Sequence, residues 1–371
     1  MHIYAVISTI MLLLFLLEQK TKNNKLRMIL FYFASFLAVG LLAFRGNDVG
    51  GDTINYCNYF TGTGGGYYGI WETNDSFEIG FIWLCGLLMK ISRSDFCLIF
   101  FTSLITMLPF VYLIRRDCKY SKILPLCLYM TIWSILSVTQ TALRQNLSVS
   151  LLFCAYIFYT SEKLKHRYKY ILVILFLCLS FISHTSSLVA LPLFIGSSYI
   201  RLNKKIAYIL TIGSFVFVMI FSSAFGFIFD MFKQLMTGVA MASHMLYTYY
   251  GDIRYALDSE ISFNRLAPAT FLVVLLIKMS SNDDLKSNYL KYLVIGASLY
   301  NFGASFPMIF RVMYPLLFMG ILYVPTGLSK SRFLIYRVLL ILIIVFFIRN
   351  QIVYMEPGTA NRMLPYSFIW E

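Results

Sequence analysis

The sequence predicts an all-α polytopic integral membrane protein with about 11–13 transmembrane helices and room for one re-entrant segment. Three observations predict it. Of 371 residues, 59% are hydrophobic and 13% charged, against about 25% charged in a soluble domain. Apolar runs recur from end to end at a mean hydropathy of +0.73. An outer-membrane barrel would instead alternate in short strands. The basic residues gather in short loops between those runs, as "EQKTKNNKLR", "RRDCKY", "EKLKHRYK", "RLNKK" and "KSRFLIYR". That placement is the positive-inside signature.

Candidate spans are 2–17, 28–44, 77–91, 96–114, 123–138, 147–161, 170–184, 186–200, 206–222, 266–279, 291–306, 313–327 and 333–349, in one transmembrane domain over 1–371. Several fall short of the roughly 20 residues a span needs, so their ends reach into adjoining loops. Basic loops 18–27, 162–169, 201–205, 278–291 and 330–337 go to the cytoplasm. Loops 45–76 and 223–265 and the tail 350–371 then become external. Between loops 45–76 and 162–169 lie four apolar segments, where an odd number of crossings is required. Either 77–91 is re-entrant, or the irregularity lies in 123–161. Irregular backbone at membrane depth is tolerated only where it lines protein or a cavity, so either solution marks a site near Glu78 or Arg144.

The formal charge of +14 does not indicate nucleic acid as a partner, because no aromatic-interleaved basic domain accompanies it. The seven cysteines include no CxxC pair and most sit in apolar runs, where they act as small hydrophobes. Cys57, in the first external loop, is expected to be open to an impermeant thiol reagent. The first seventeen residues lack a basic n-region and a cleavage site, which predicts a spanning helix rather than a signal peptide. No HExxH, Walker, GxSxG or metal-ligand cluster is present, and neither a metal nor another cofactor is expected. "GTGGGYYG" (62–69) reads as a flexible loop and "NDD" (282–284) as solvated charge.

The costly residues collect on the external side. Arg45, Asp52 and Glu78 lie in or beside the first loop, and Arg144 opens a helix within "QTALRQN". His184 ends another within "FISHTSS", while Arg311 flanks an outer helix end and Arg362 and "LPY" (364–366) lie in the tail. An ionisable group at membrane depth is by default a functional hypothesis. Each also has a structural reading. The arginines would snorkel at helix ends, His184 would be hydrogen-bonded within the bundle, and Glu78 would answer a helix N-terminus. In "GGDT" (50–53) the glycines would make a turn and Asp52 or Thr53 would cap the next helix. In the functional reading, arginine forks bind phosphate oxygens, a histidine or carboxylate takes a proton from a sugar hydroxyl, and tyrosines stack on sugar faces. His184, Glu78 and Asp52 are all candidates for the base; a histidine titrates nearest neutral pH.

The order "RGNDVGGDTINYCNYF", "FEIGF", "LRQN", "SHTSS" and "LPY" resembles the EpsG-like branch of Wzy-type polysaccharide polymerases. The strongest part is R…GxDTxxYxxxF, here Arg45, Gly51, Asp52, Thr53, Tyr56 and Phe60. The resemblance implies a GT-C-like helical bundle in the bacterial inner membrane with its active site facing the periplasm. It implies a metal-independent glycosyltransferase that moves a growing glycan from undecaprenyl pyrophosphate onto a new lipid-linked repeat unit. Donor and acceptor lipids would be its partners, with a chain-length regulator protein as a further candidate. Arg45, Arg144, Gln145, Arg311, Thr53, Tyr56 and Tyr366 would bind substrate; the loop 223–265 would cover the site. The histidine stands in "HTSS" where the family commonly has proline or a small residue next. An O-antigen ligase with the same donor, and a flippase for the lipid-linked glycan, are the alternatives.

Overall fold

The computed structural model describes residues 3–63, 77–184, 187–221, 263–303, 307–330, 334–354 and 366–370. Its elements are helices; one isolated antiparallel bridge joins Arg45 to Phe368. The chain divides into two compact units, one of residues 1–193, 321–329 and 344–371, the other of 194–320 and 330–343.

The first unit begins with α1 (Ile3–Lys20) and α2 (Asn24–Ala43), where Asn23 caps α2 by accepting from the Lys25 amide at 2.9 Å. The sequence-predicted outer loop is partly a helix, α3 (Thr53–Thr61), whose buried residues are Thr53, Tyr56, Cys57 and Phe60. That is a helical stripe at i, i+3, i+4, i+7. It packs with Phe77, Phe81, Cys85 and Leu147 in one apolar cluster. Cys57 is therefore buried, 1% exposed, and the expected thiol labelling is corrected: the stripe faces inward rather than the solvent. Then come α4 (Ile79–Leu88), α5 (Asp95–Asp117), α6 (Ile123–Thr131), α7 (Trp133–Thr141), α8 (Leu143–Tyr159) and α9 (His166–Ser183). The helix α10 (Ser187–Tyr199) runs from this unit into the next.

Six described helices are long and apolar enough to span: Ile3–Lys20, Asn24–Ala43, Asp95–Asp117, His166–Ser183, Lys204–Phe221 and Leu334–Val353. The bent pair α6 and α7, at 74°, would make a seventh. Other expected spans are present as shorter helices. At ten residues α4 is about 15 Å long, half a hydrocarbon core. The 123–161 run is three helices because the backbone leaves helical geometry at Ile132 (ψ 101°) and Ala142 (ψ 70°). The sequence offered a short 77–91 or an irregular 123–161; the structure has both.

In the second unit, α11 (Lys204–Phe221) carries a π-helical turn at Ile209–Gly213. Asn301 donates to the Thr211 carbonyl of that turn at 3.4 Å and to Ser214 at 3.0 Å. The unit continues with α12 (Phe263–Met279), α13 (Asn288–Gly303) and α14 (Pro307–Gly320). The short α15 (Val324–Ser329) belongs to the first unit, and α16 (Leu334–Tyr354) is shared. "NDD" is only half solvated. Asp283 pairs in solvent with Lys286 at 2.8 Å. Asp284 is 9% exposed, accepts from the Ser281 amide at 2.7 Å and pairs with Lys330. Burial works against its charge, but the hydrogen bonds from Lys330 and Ser281 outweigh it and hold the carboxyl below the usual carboxylate range.

The six cysteines other than Cys57 include Cys85, Cys97, Cys118 and Cys127, all buried, with Cys178 exposed. One buried acid organises the basic end of the first unit. Glu18, 1% exposed, accepts from the Lys122 amide at 2.9 Å, the Ile123 amide at 3.4 Å and the Ser121 hydroxyl, so α1 caps α6. Losing such a cap costs about 0.5–2 kcal/mol. Glu18→Ala is expected to lower the thermal unfolding midpoint in detergent, with Glu18→Gln closer to the parent; equal midpoints for all three would show the cap to be dispensable.

Candidate active site

Three helix ends meet in the first unit, and each brings one candidate from the sequence. Glu78 is the N-cap residue of α4, but its side chain makes no capping bond. It turns instead to two partners. Its Oε2 accepts from Arg144 Nη1 at 2.5 Å, and its Oε1 lies 2.7 Å from His184 Nδ1. Arg144 stands in the first turn of α8 and His184 at the C-cap of α9. The three side chains keep 16%, 17% and 10% of their surface exposed, in the order Glu78, Arg144, His184. They are largely but not fully buried.

Local structure explains the meeting. Helices α8 and α9 are pinned by Ser148 and Ser180: the hydroxyls are 2.9 Å apart, and Ser180 also donates to the Ser148 carbonyl at 3.0 Å. Helix α4 reaches the end of α9 through Gly80, where an added Cβ would stand 2.8 Å from the Ser183 hydroxyl and 2.9 Å from the Ile182 carbonyl. A glycine there lets the two backbones close until Glu78 reaches His184. Aromatic faces support the cation. The Arg144 guanidinium lies 4.9 Å from the Phe77 ring centre and 5.6 Å from that of Tyr56, and its Nε approaches the Tyr56 hydroxyl at 3.4 Å. Tyr56 and Phe77 pack on each other and on Phe81 at 5.3–5.7 Å.

This arrangement fixes chemistry. A carboxylate beside a guanidinium is acceptor-only, so His184 Nδ1 must donate to it, which puts the imidazole's basic lone pair on Nε2. The carboxylate also stabilises an imidazolium should that nitrogen take a proton.

The other candidates fall elsewhere. Arg45 is fully buried and donates to the Leu42 carbonyl at 2.7 Å, the Gln140 carbonyl at 3.0 Å and Ser103 at 3.5 Å. Thr53, also fully buried, donates to the Gln140 carbonyl at 3.0 Å. Asp52 occupies the N-cap of α3, is exposed and makes no side-chain capping bond. Gln145 is buried in α8 at 3% exposure. Tyr366 donates to the Leu41 carbonyl at 2.8 Å and meets Tyr4 edge-on at 5.6 Å, tying the tail to α2. Arg311 lies on α14 in the second unit, and its side chain is outside the described residues. So are Arg254, Arg265, Arg362, the tyrosines at 247, 249 and 250, and residues 64–76. Among the described residues no group of three His, Cys, Asp or Glu is placed to hold a metal ion.

Sequence reasoning missed Gln140, Asn146 and Gly80. Asn146 donates to the Val138 and Thr139 carbonyls at 3.0 and 2.8 Å, closing the end of α7. The available signal was the polar "TQT" (139–141) inside an apolar run.

The class defined by these features is a multi-span helical membrane protein with a partly buried Arg–Glu–His centre. The EpsG family model matches residues 28–368, and the chain belongs to the EpsG family, polytopic membrane proteins implicated in polysaccharide biosynthesis. No curated protein and no solved structure matches it.

Gly80→Val is expected to force α4 from α9 and to cost about 1–3 kcal/mol of stability, with Gly80→Ala milder. Thermal unfolding in detergent measures this, and unchanged midpoints for both variants would refute the tight approach.

Proposed function

We propose that the Glu78–His184–Arg144 centre transfers a glycan between lipid carriers, joining repeat units on undecaprenyl pyrophosphate at the periplasmic face of the inner membrane. The observation that carries this reading is one carboxylate held between an imidazole and a guanidinium. Family membership supports a role in lipid-linked glycan handling. The bundle would then be of the GT-C kind.

In this reading the sequence's three base candidates separate by role. His184 Nε2 takes the proton of the acceptor hydroxyl, whose oxygen bonds to the donor's anomeric carbon as the bond to the pyrophosphate breaks. Glu78 holds the ring in its tautomer and balances the imidazolium. The Arg144 charge stabilises the departing pyrophosphate. Asp52 takes no part in the proton transfer. The acceptor is a second lipid-linked repeat unit, and the reaction proceeds without a metal ion.

The test supplies purified protein in liposomes with its lipid-linked repeat unit and follows a ladder of longer lipid-linked glycans. His184→Ala and Glu78→Gln are expected to abolish the ladder at normal membrane levels. Arg144→Lys keeps the charge but loses the planar fork; one lost charge-assisted hydrogen bond corresponds to roughly ten- to a hundredfold in turnover. Full activity of Arg144→Lys would make it an anchor, and transport of the glycolipid without elongation would make the protein a flippase.

Sidedness is tested at Thr63, which is exposed just past α3. With the native cysteines replaced, Thr63→Cys is expected to react with an impermeant maleimide in intact spheroplasts. Labelling only after lysis would put the site on the cytoplasmic face.

A further inference from the structure

Three residues of the stretch "RGNDVGGDTINYCNYF", Arg45, Gly50 and Thr53, converge on one oxygen atom, the main-chain carbonyl of Gln140. Arg45 Nη2 and Thr53 Oγ1 each donate to it at 3.0 Å. Gly50 lies against it with φ +99°, and a Cβ there would be 2.6 Å from that oxygen. Both the left-handed backbone and the approach require glycine. Arg45 and Thr53 are fully buried.

That carbonyl holds a particular place in the chain. In an unbroken α-helix it would accept from the amide four residues on, which is the amide of Arg144. Here the backbone turns away at Ala142 (φ −105°, ψ 70°), and α8 restarts at Leu143. Arg45 and Thr53 supply the donors that the helix break removes. Without them a buried carbonyl would be left unsatisfied, at a cost that favours closing the helix again. Closing it would rotate Arg144 about the helix axis and carry it off Glu78.

We infer that Arg45, Gly50 and Thr53 are positioning residues: they hold the α7–α8 break open at the Gln140 carbonyl and thereby aim Arg144 at Glu78. This rests on the Arg144–Glu78–His184 centre being the reacting site, and it moves Arg45 and Thr53 from substrate binding to support.

Two measurements test it, one independent of activity. Spin labels at Leu87 on α4 and Tyr159 at the end of α8, both exposed, report the disposition of the two helices. Thr53→Val keeps the shape and removes the donor, so the distance distribution is expected to shift or broaden; Thr53→Ser keeps the hydroxyl and leaves it unchanged. Identical distributions for Thr53→Val, Thr53→Ser and parent overturn the inference whatever the enzyme does. If Thr53→Val does not accumulate, Arg45→Lys carries the same measurement. In the elongation assay, Thr53→Val and Arg45→Lys are each expected to lower kcat about tenfold with KM for the lipid-linked donor unchanged, as loss of a hydrogen bond to a single carbonyl would. The double variant is expected to lose less than the product of the two, because both act through one atom. A rise in KM at constant kcat, multiplying in the double variant, would return Arg45 to the substrate and refute the positioning role. An active Glu78→Gln would refute the proposed function, and the label distances would still decide the positioning claim.

Discussion

The centre depends on a charge kept in a poorly solvated place. Glu78 is mostly buried, and a carboxylate there is tolerable only with a cation and hydrogen-bond donors at hand. Arg144 and His184 supply both. The helix ends contribute unequally. A negative group at the start of α4 and an imidazole at the end of α9 both suit the helix dipoles. Arg144, in the first turn of α8, does not. Its position is held against the dipole by Glu78 and by the faces of Phe77 and Tyr56.

Bringing three helix ends together inside a bundle goes with broken helices, and every break frees backbone groups. At the breaks on either side of α7 side chains take up freed carbonyls, one from nearby and the others from distant sequence. At the end of α6 the Met130 carbonyl accepts from Ser8 at 3.2 Å and from Gln351. At the end of α7 Asn146 takes two carbonyls, and Arg45 and Thr53 take the next. Tyr4 in turn donates to the Gln140 side chain at 2.8 Å. The polar side chains scattered through this apolar chain therefore follow the irregular backbone.

Much of this was legible in the sequence. Charged residues are costly in a membrane, so Glu78, Arg144 and His184 stood out together with Arg45, Asp52 and Arg311, and the family resemblance assigned all of them to one site, of which only the first three meet among the described residues. The crossing parity offered 77–91 or 123–161 as the irregular segment without choosing, and both are short or broken. The pairing itself was not legible, since 66 residues separate Arg144 from Glu78 and 106 separate His184 from Glu78. The DTxxYxxxF pattern was legible in another sense: Thr53, Tyr56 and Phe60 recur at helical spacing. The preceding "GGD" reads as a turn leading into a capped helix, but the stretch as a whole reads as an external loop, and the buried stripe that hides Cys57 went unrecognised. Gln140 takes Arg45 and Thr53 on its main-chain carbonyl, which every residue type offers alike; the polar "TQT" marks an irregular place in an apolar run but not which carbonyl is held.

A polar residue in a membrane helix bundle therefore has two explanations, and the destination of its donors separates them. Arg144 spends a donor on a side-chain carboxylate beside a histidine, and part of its side chain stays exposed. Arg45 spends its donors on backbone carbonyls and a serine, with no surface exposed. The first arrangement can exchange partners when an anionic ligand arrives, since carboxylate and phosphate present similar oxygens to a guanidinium fork. The second cannot exchange without unsatisfying the backbone it supports. The same residue type thus reads as chemistry in one place and as architecture in the other, within a hundred residues of one chain.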